Sequence, residues 1–437
     1  MKISRFVVAL AAIAISALSA QDAAAQEARA RWERMCQIRA EKFDLVLPGA
    51  MHDNDLDMWI VVMREGLLDP LWEALGRGYV GDWAYYVFTD RGARAERAAL
   101  GVGGYRLEEC GVYDYFGGAG ELQAYVAERD PDRIGVNIAA SIGGADGLSH
   151  TSYLHLQQVL GAYGDRLVSA ERFVSDFRST RTAIELATFA EAGEMSREIA
   201  ERAFSNEVIT PGVTTLEDVA WWMSDQQLQR GLESSFDMPS VYITGPGGIE
   251  ATSSDRIIQR GDLLMLDWGV GFLDFYTDMK RIAYVLREGE TEPPAGVRHA
   301  FERAKQVRDV MKATIAPAPT AAEALERTWD AIVAEGFNRI DFNAPTADPL
   351  VTDVVLGPHS VGNWGHGLGP SLAFFNPTRM TYELRPGTLI SVELFAYTAN
   401  PEWGGAKIRI PLEDDAVVTE RGVEWLYPVN ERILVIK

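Results

Sequence analysis

The apolar positions change their period partway along the chain. From Trp32 to about Asp176, short apolar runs such as Met58-Trp-Ile-Val-Val-Met63 and Trp83-Ala-Tyr-Tyr-Val-Phe88 alternate with helical patterns and glycine-rich breaks. That texture predicts an α/β domain over residues 26–176. After Phe177-Arg-Ser-Thr-Arg181, apolar residues at 184, 189, 195, 199 and 203 recur at helical intervals and predict a long helix over 182–204. Further helical patterns follow at 215–231, at 296–316, where Pro317 stops the run, and at 321–335. Strand-like segments fall at 262–270, 275–286, 388–397 and 405–418. Helices interleaved with hairpins, rather than strict β-α-β alternation, predict an α+β domain over 177–437.

The first 25 residues stand apart from both patterns. Lys2 and Arg5 precede an apolar run from Phe6 to Ala20, and small residues follow at Ala23-Ala24-Ala25. This reads as a secretory signal with a small-x-small cleavage site, and hence a periplasmic or secreted protein. The alternative, a membrane anchor, is short of the ~20 apolar residues that span a bilayer. No later stretch is apolar enough to insert, so no stable membrane insertion is expected once the signal is gone. The formal net charge is −22, and removing the +1 of residues 1–25 leaves −23. Such a polyanion repels phosphate backbones and excludes nucleic acid as a partner. Cys36 and Cys110 are the only cysteines. They either form a disulfide in an oxidising compartment or remain as two buried thiols, and they are too few for a zinc-thiolate site.

Candidate chemistry concentrates in the second half. In the stretch from Gly261 to Arg281, Asp267 ends an apolar run and Asp278 follows eleven residues later. A tight hairpin centred between Phe272 and Leu273 would place the two aspartates opposite each other, with β-carbons only ~5 Å apart. Like charges so close require a shared proton or a cation between them. Other hard ligands follow: His366 in Gly365-His-Gly-Leu-Gly369, Glu393 inside the apolar strand Leu389-Ile-Ser-Val-Glu-Leu-Phe395, and Glu413 ahead of Asp414-Asp415. Each alone is most often an ordinary surface residue. No G-x-S-x-G elbow is present, which argues against a serine hydrolase.

This order of Asp267, Asp278, a Gly-His-Gly loop, Glu393 and Glu413 resembles the pita-bread metallopeptidases: methionine aminopeptidase, aminopeptidase P and prolidase. The resemblance covers residues 177 to 437. Arg178-Ser-Thr-Arg181 with the helix that follows is similar to the family's entry helix, and Gly245-Pro-Gly-Gly with Asp255-Arg-Ile-Ile-Gln-Arg-Gly-Asp262 is similar to the segment before its first ligand. The upstream domain resembles the N-terminal domain of the creatinase, aminopeptidase P and prolidase branch. The resemblance implies a pita-bread catalytic domain holding two divalent metal ions. Asp267 would bind the first, Asp278 and Glu413 would bridge, and His366 with Glu393 would complete the second. One imidazole with four carboxylates suits manganese or zinc first, and cobalt or iron after them. Two ions about 3.5–4 Å apart acidify a bridging water, from which Glu393 would take the proton, so the implied reaction is amide-bond hydrolysis.

The pattern also breaks. The family uses a histidine seven residues after its histidine ligand and another about seventeen before the first aspartate, and counted from His366 and Asp267 these places hold Ala373 and Glu250. His359, Glu250 or Arg409 would have to supply the missing proton or polarise the carbonyl, with His359 the catalytic candidate. Trp364 and Trp403 lie in glycine-rich loops where they can wall an apolar, proline-like substrate pocket. The leading expectation is an Xaa-Pro exopeptidase acting on small peptides. A metallohydrolase of a non-peptide amide or ester, and a silent peptide-binding module, stand beside it. Relatives with such an N-terminal domain self-associate, so the resemblance also implies a homo-oligomer.

Overall fold

A computed structural model describes residues 26–341, 344–365 and 367–437. The signal-like segment and His366 therefore lie outside the described residues. No described helix is long and apolar enough to cross a membrane.

The first half is built on a six-stranded mixed sheet. Met58–Met63 is its buried centre, antiparallel to Tyr79–Asp90 and parallel to Ile134–Val136. Ala95–Gly103, Tyr115–Gly117 and Leu167–Ser169 extend the two sides. All six residues of the central strand are buried, as an apolar run covered on both faces requires. Helices cover this sheet, in agreement with the α/β reading. The expected boundary between 176 and 177 falls inside the helix Glu171–Ser179, whose Phe173 and Phe177 pack into the first core.

The helix at residues 26–41 ties the two halves together. Cys36 is disulfide-bonded to Cys110, 74 residues on, and Arg34 donates to Thr188. Of the two readings open for these cysteines, the bonded one holds. Closing so long a loop restricts the unfolded chain, so Cys36→Ser/Cys110→Ser is expected to cost roughly 2–4 kcal/mol. Urea unfolding of the double variant against the oxidised parent checks it. An unchanged midpoint would show that the helix is held by packing alone.

The second half follows the predicted elements closely. Thr182 caps the helix Ala183–Ala203: its hydroxyl accepts from Glu185 N–H while the Glu185 carboxylate accepts from Thr182 N–H, a capping box. Thr215 and Asp218 do the same for Leu216–Arg230, which ends at Gly231 in the left-handed region. Ala295–Thr314 buries its apolar face against Leu394–Ala399 and Lys407–Leu412, and Ala321–Ala334 packs its own against Ala295–Thr314.

Three sheets converge on one place. The five-stranded sheet pairs Leu263–Trp268 with Met279–Val285 on one side and Ser240–Gly245 on the other. A four-stranded sheet contains Leu394–Ala399 and Lys407–Leu412. Another runs His359–Ser360, Leu389–Ser391, Asp415–Thr419, Gly422–Trp425. The last two sheets share chain breaks at 392–393 and 413–414, where the polypeptide leaves one sheet for the other. Lys280 N–H donates to Glu413 O at 3.1 Å and closes the seam with the first sheet.

The hairpin register differs from the one expected from its length. Leu273 and Asp274 both have positive φ, 52° and 66°, and form a two-residue turn. The turn therefore centres one residue later than predicted, and Asp267 pairs with Lys280 rather than with Asp278. The positive group that the carboxylates require is already present in the opposing strand.

Candidate metal centre

Four of the five residues proposed as ligands from the sequence are described, and strand geometry brings them together. Asp267 is the penultimate residue of Leu263–Trp268. Asp278 and Lys280 flank Met279 at the start of the neighbouring strand, and the two-residue period turns both to the same side. Glu393 and Glu413 occupy the two breaks at which the chain changes sheets. Backbone that leaves a ladder frees its side chain to point into the seam instead of across a sheet face.

Lys280 sits at the middle of these carboxylates. Its Nζ lies 3.1 Å from Asp267 Oδ2 and 2.8 Å from Glu393 Oε1, and it also donates to Glu413 Oε2. Glu413 is fully buried, and its other oxygen accepts from Ser391 Oγ at 2.7 Å. Burial pulls the Lys280 ammonium down, but Asp267, Glu393 and Glu413 outweigh it and hold the group well above the ordinary lysine range. Burial, then Asp267, pushes Asp278 well above the usual carboxylate range, and burial, then Asp278, does the same to Glu413. The cluster carries more carboxylate than its lysine offsets.

His359 joins the cluster from the edge strand His359–Ser360. Only 2% exposed, it brings Nε2 to 3.5 Å from Asp278 Oδ2 and 3.7 Å from Glu413 Oε1. Asp278, His359 and Glu413 each offer one ligand atom, all within 4.8 Å of one another. Two carboxylates and an imidazole at that spacing fit a divalent ion of the manganese, zinc, iron or cobalt kind. The sequence reading gave His359 a proton-carrying role and the ligand's place to His366. The structure places His359 beside the Asp278 and Glu413 oxygens, because the pairing of His359 with Ser391 carries it to the Glu413 seam; His366 lies outside the described residues.

The surroundings sort the remaining candidates. A cavity of about 220 Å³ opens onto Asp267 and Lys280, walled by Tyr242, Ile249, Phe395 and Arg409. The Arg409 guanidinium lies over the Phe395 ring, 4.1 Å from its centroid. Glu250, expected near the substrate, instead pairs with Arg256 at 2.6 Å. Its neighbour Ile249 faces the cavity, and strand alternation turns Glu250 away. Trp364 is exposed, as are Phe374 and Phe375. Ala373 is fully buried. A β-carbon on Gly357 would stand 2.6 Å from Glu393 Oε2, so a glycine is required to make room for that carboxylate.

Sequence reasoning missed Lys280, Ser391, Asp414 and Asp415. Asp415 Oδ2 accepts from Asp278 N–H at 3.0 Å and from the Tyr427 hydroxyl at 3.0 Å, fixing the backbone that presents Asp278. Alternation was the available signal: Lys280 is two residues from Asp278, and Asp415 two from Glu413.

Comparison with known proteins agrees with this geometry. The model for metallopeptidase family M24 matches residues 187–420. The chain is 28% identical over 273 residues to the uncharacterized peptidase YqhT of Bacillus subtilis, covering 59% of this chain and 64% of that protein. It is 24% identical over 274 residues to the Xaa-Pro dipeptidase of Pyrococcus furiosus, covering 60% and 66%. The match thus spans about two thirds of these curated relatives. Among solved structures, the X-Pro aminopeptidase of Thermotoga maritima superposes with a TM-score of 0.64 at 16% identity, over 89% of this chain and 99% of that one. The Xaa-Pro dipeptidase of Bacillus anthracis gives 0.62 at 20% identity, over 92% and 99%. These likenesses extend through the N-terminal α/β part as well as the pita-bread part. With more than half of its length matched by the family model, and the expected carboxylates gathered at one seam, the chain belongs to metallopeptidase family M24.

Proposed function

We propose that this protein is a metal-dependent exopeptidase that cleaves Xaa-Pro bonds in small peptides. The observation that carries the reading is the convergence of Asp278, His359 and Glu413 beside the cavity that Asp267, Lys280 and Arg409 line. A divalent ion held by those three residues would polarise the scissile carbonyl and acidify a water.

The protein's own groups supply the rest. Glu393, oriented by Lys280 at 2.8 Å and by the space over Gly357, is the base that takes the water's proton. Arg409, lining the cavity, receives a substrate carbonyl or terminal carboxylate as a charge-assisted donor. With His359 as the ligand, the family's second histidine, seven residues on, falls at His366 rather than Ala373. His366 then acts on the substrate carbonyl or the leaving nitrogen, and the missing-donor problem disappears at that position. At the other, Glu250 still stands where the family has a histidine.

The small apolar and aromatic wall of Tyr242, Ile249 and Phe395 supports a proline-like residue next to the scissile bond. The disulfide between Cys36 and Cys110 and the signal-like N-terminus support a periplasmic or secreted location.

Dialysis against a chelator is expected to abolish hydrolysis of Xaa-Pro dipeptides and tripeptides. Manganese, cobalt or zinc should restore it, with the restoring ion identifying the physiological candidate. Turnover that survives complete metal removal would sink the proposal. Metal binding with cleavage only of non-peptide amides or esters would replace the peptidase by a hydrolase of that class.

A further inference from the structure

Lys280 distinguishes this centre from a plain carboxylate cage. Its strand position is fixed by pairing with Asp267 and by its N–H bond to Glu413 O. The side chain is 7% exposed, and its Nζ stands 5.7 Å above the Phe395 ring. The ammonium is therefore anchored between Asp267, Glu393 and Glu413 by backbone and packing, and swinging out would strand three carboxylates.

We infer that Lys280 serves as a resident second cation, so that the centre binds one divalent ion, through Asp278, His359 and Glu413, instead of two. This rests on the reading of the seam as a metal centre and deepens it. The arrangement of oxygens supports the division. Glu413 turns Oε2 to Lys280 and Oε1 toward His359, bridging an ammonium and an ion site as a carboxylate bridges two ions. Asp267 Oδ2 and Glu393 Oε1, which a second ion would need, are taken by Nζ at 3.1 and 2.8 Å. The paired ions of dinuclear hydrolases sit about 3.5–4 Å apart. An ammonium within hydrogen-bond distance of those oxygens occupies the same space.

Charge points the same way. Ionised around a bound metal, Asp267, Asp278, Glu393 and Glu413 bring four negative charges, and Lys280 with a single divalent ion brings three positive ones. Two divalent ions beside the ammonium would place three cationic centres within a few ångströms in a buried seam, where Coulomb repulsion is poorly screened. The consequence for the reaction is a division of labour: one ion polarises the carbonyl, while Lys280 fixes Asp267 and Glu393 and contributes its charge without dissociating.

The test is metal stoichiometry, measured on the full chain after loading with excess manganese and desalting. The wild type is expected to retain about one ion per chain, and its manganese electron paramagnetic resonance spectrum should be that of an isolated ion. Lys280→Met, which keeps the length of the stem and removes the charge, is expected to raise the content about twofold and to give the spectrum of a coupled pair. About two ions, or a coupled spectrum, in the wild type would overturn the inference while leaving the peptidase reading intact. One ion in both proteins would also overturn it, since the lysine would then not be what excludes the second. No ion in the wild type would overturn it together with the metal-centre reading. If Lys280→Met fails to fold, the wild-type stoichiometry and spectrum still decide.

Discussion

His359→Ala is expected to lower kcat/KM on an Xaa-Pro substrate by about 10³-fold, because a divalent ion supplies several kcal/mol of transition-state stabilisation and each 1.36 kcal/mol is a factor of ten. Glu413→Ala should do the same, and both variants should lose the bound metal. His366→Ala should fall by a comparable about 10²- to 10⁴-fold, the usual worth of a positioned proton donor, yet keep its metal. Metal content therefore separates two histidines that activity alone would confuse. The reason lies in the seam: His359 Nε2 stands 3.5 Å from Asp278 and 3.7 Å from Glu413. Equilibrium dialysis of the three variants against manganese, followed by assay, makes the comparison. Metal retained by His359→Ala and lost by His366→Ala would reverse the assignment.

That assignment also shows where the sequence was informative. The helices Ala183–Ala203, Leu216–Arg230, Ala295–Thr314 and Ala321–Ala334 were legible from their apolar period, to which Thr182, Thr215 and Thr320 add a capping threonine at the start of three of them. Asp267, Asp278, Glu393 and Glu413 stood out because, unremarkable singly, they came jointly in a known order. The histidine was ambiguous, since His359 and His366 are seven residues apart and the glycine-flanked one looked better suited to a close approach. What places His359 at the seam is strand pairing, a non-local property: it is carried there by Ser391, which donates to Glu413. Lys280 was hidden by a one-residue displacement of the turn. A turn at Leu273–Asp274 instead of Phe272–Leu273 shifts the pairing by two residues, which keeps every side chain on its face but puts Lys280 in place of Asp278 opposite Asp267. The demand for a positive charge was correctly read; that a side chain already meets part of it was not.

Beneath the centre, a second charged pair sets the stability of the seam, and Arg281→Met is expected to destabilise the protein by about 3–5 kcal/mol, the usual cost of orphaning a buried ion. Arg281 donates to Asp414 Oδ1 at 2.7 Å, with side chains 2% and 0% exposed. Asp414 also accepts from Asn430 N–H at 2.9 Å, and the same Arg281 Nη1 donates to Lys280 O at 2.8 Å. Removing the guanidinium leaves a carboxylate in a medium where burial already pushes it above its ordinary range. Replacing both partners, Arg281→Met with Asp414→Leu, removes the orphan charge and should recover part of the loss. Recovery stays incomplete because Asn430 N–H and Lys280 C=O lose partners, at about 1–3 kcal/mol for each buried group left unsatisfied. Urea midpoints of the parent, both single variants and the double variant give the cycle. Additive losses would mean that the two charges stabilise the seam independently. A double variant more stable than either single one would show that Arg281 is retained to neutralise Asp414. Because Asp414 lies between Glu413 and Asp415, and Arg281 follows Lys280, that neutralisation fixes the backbone on which the ligands and the resident lysine are aimed.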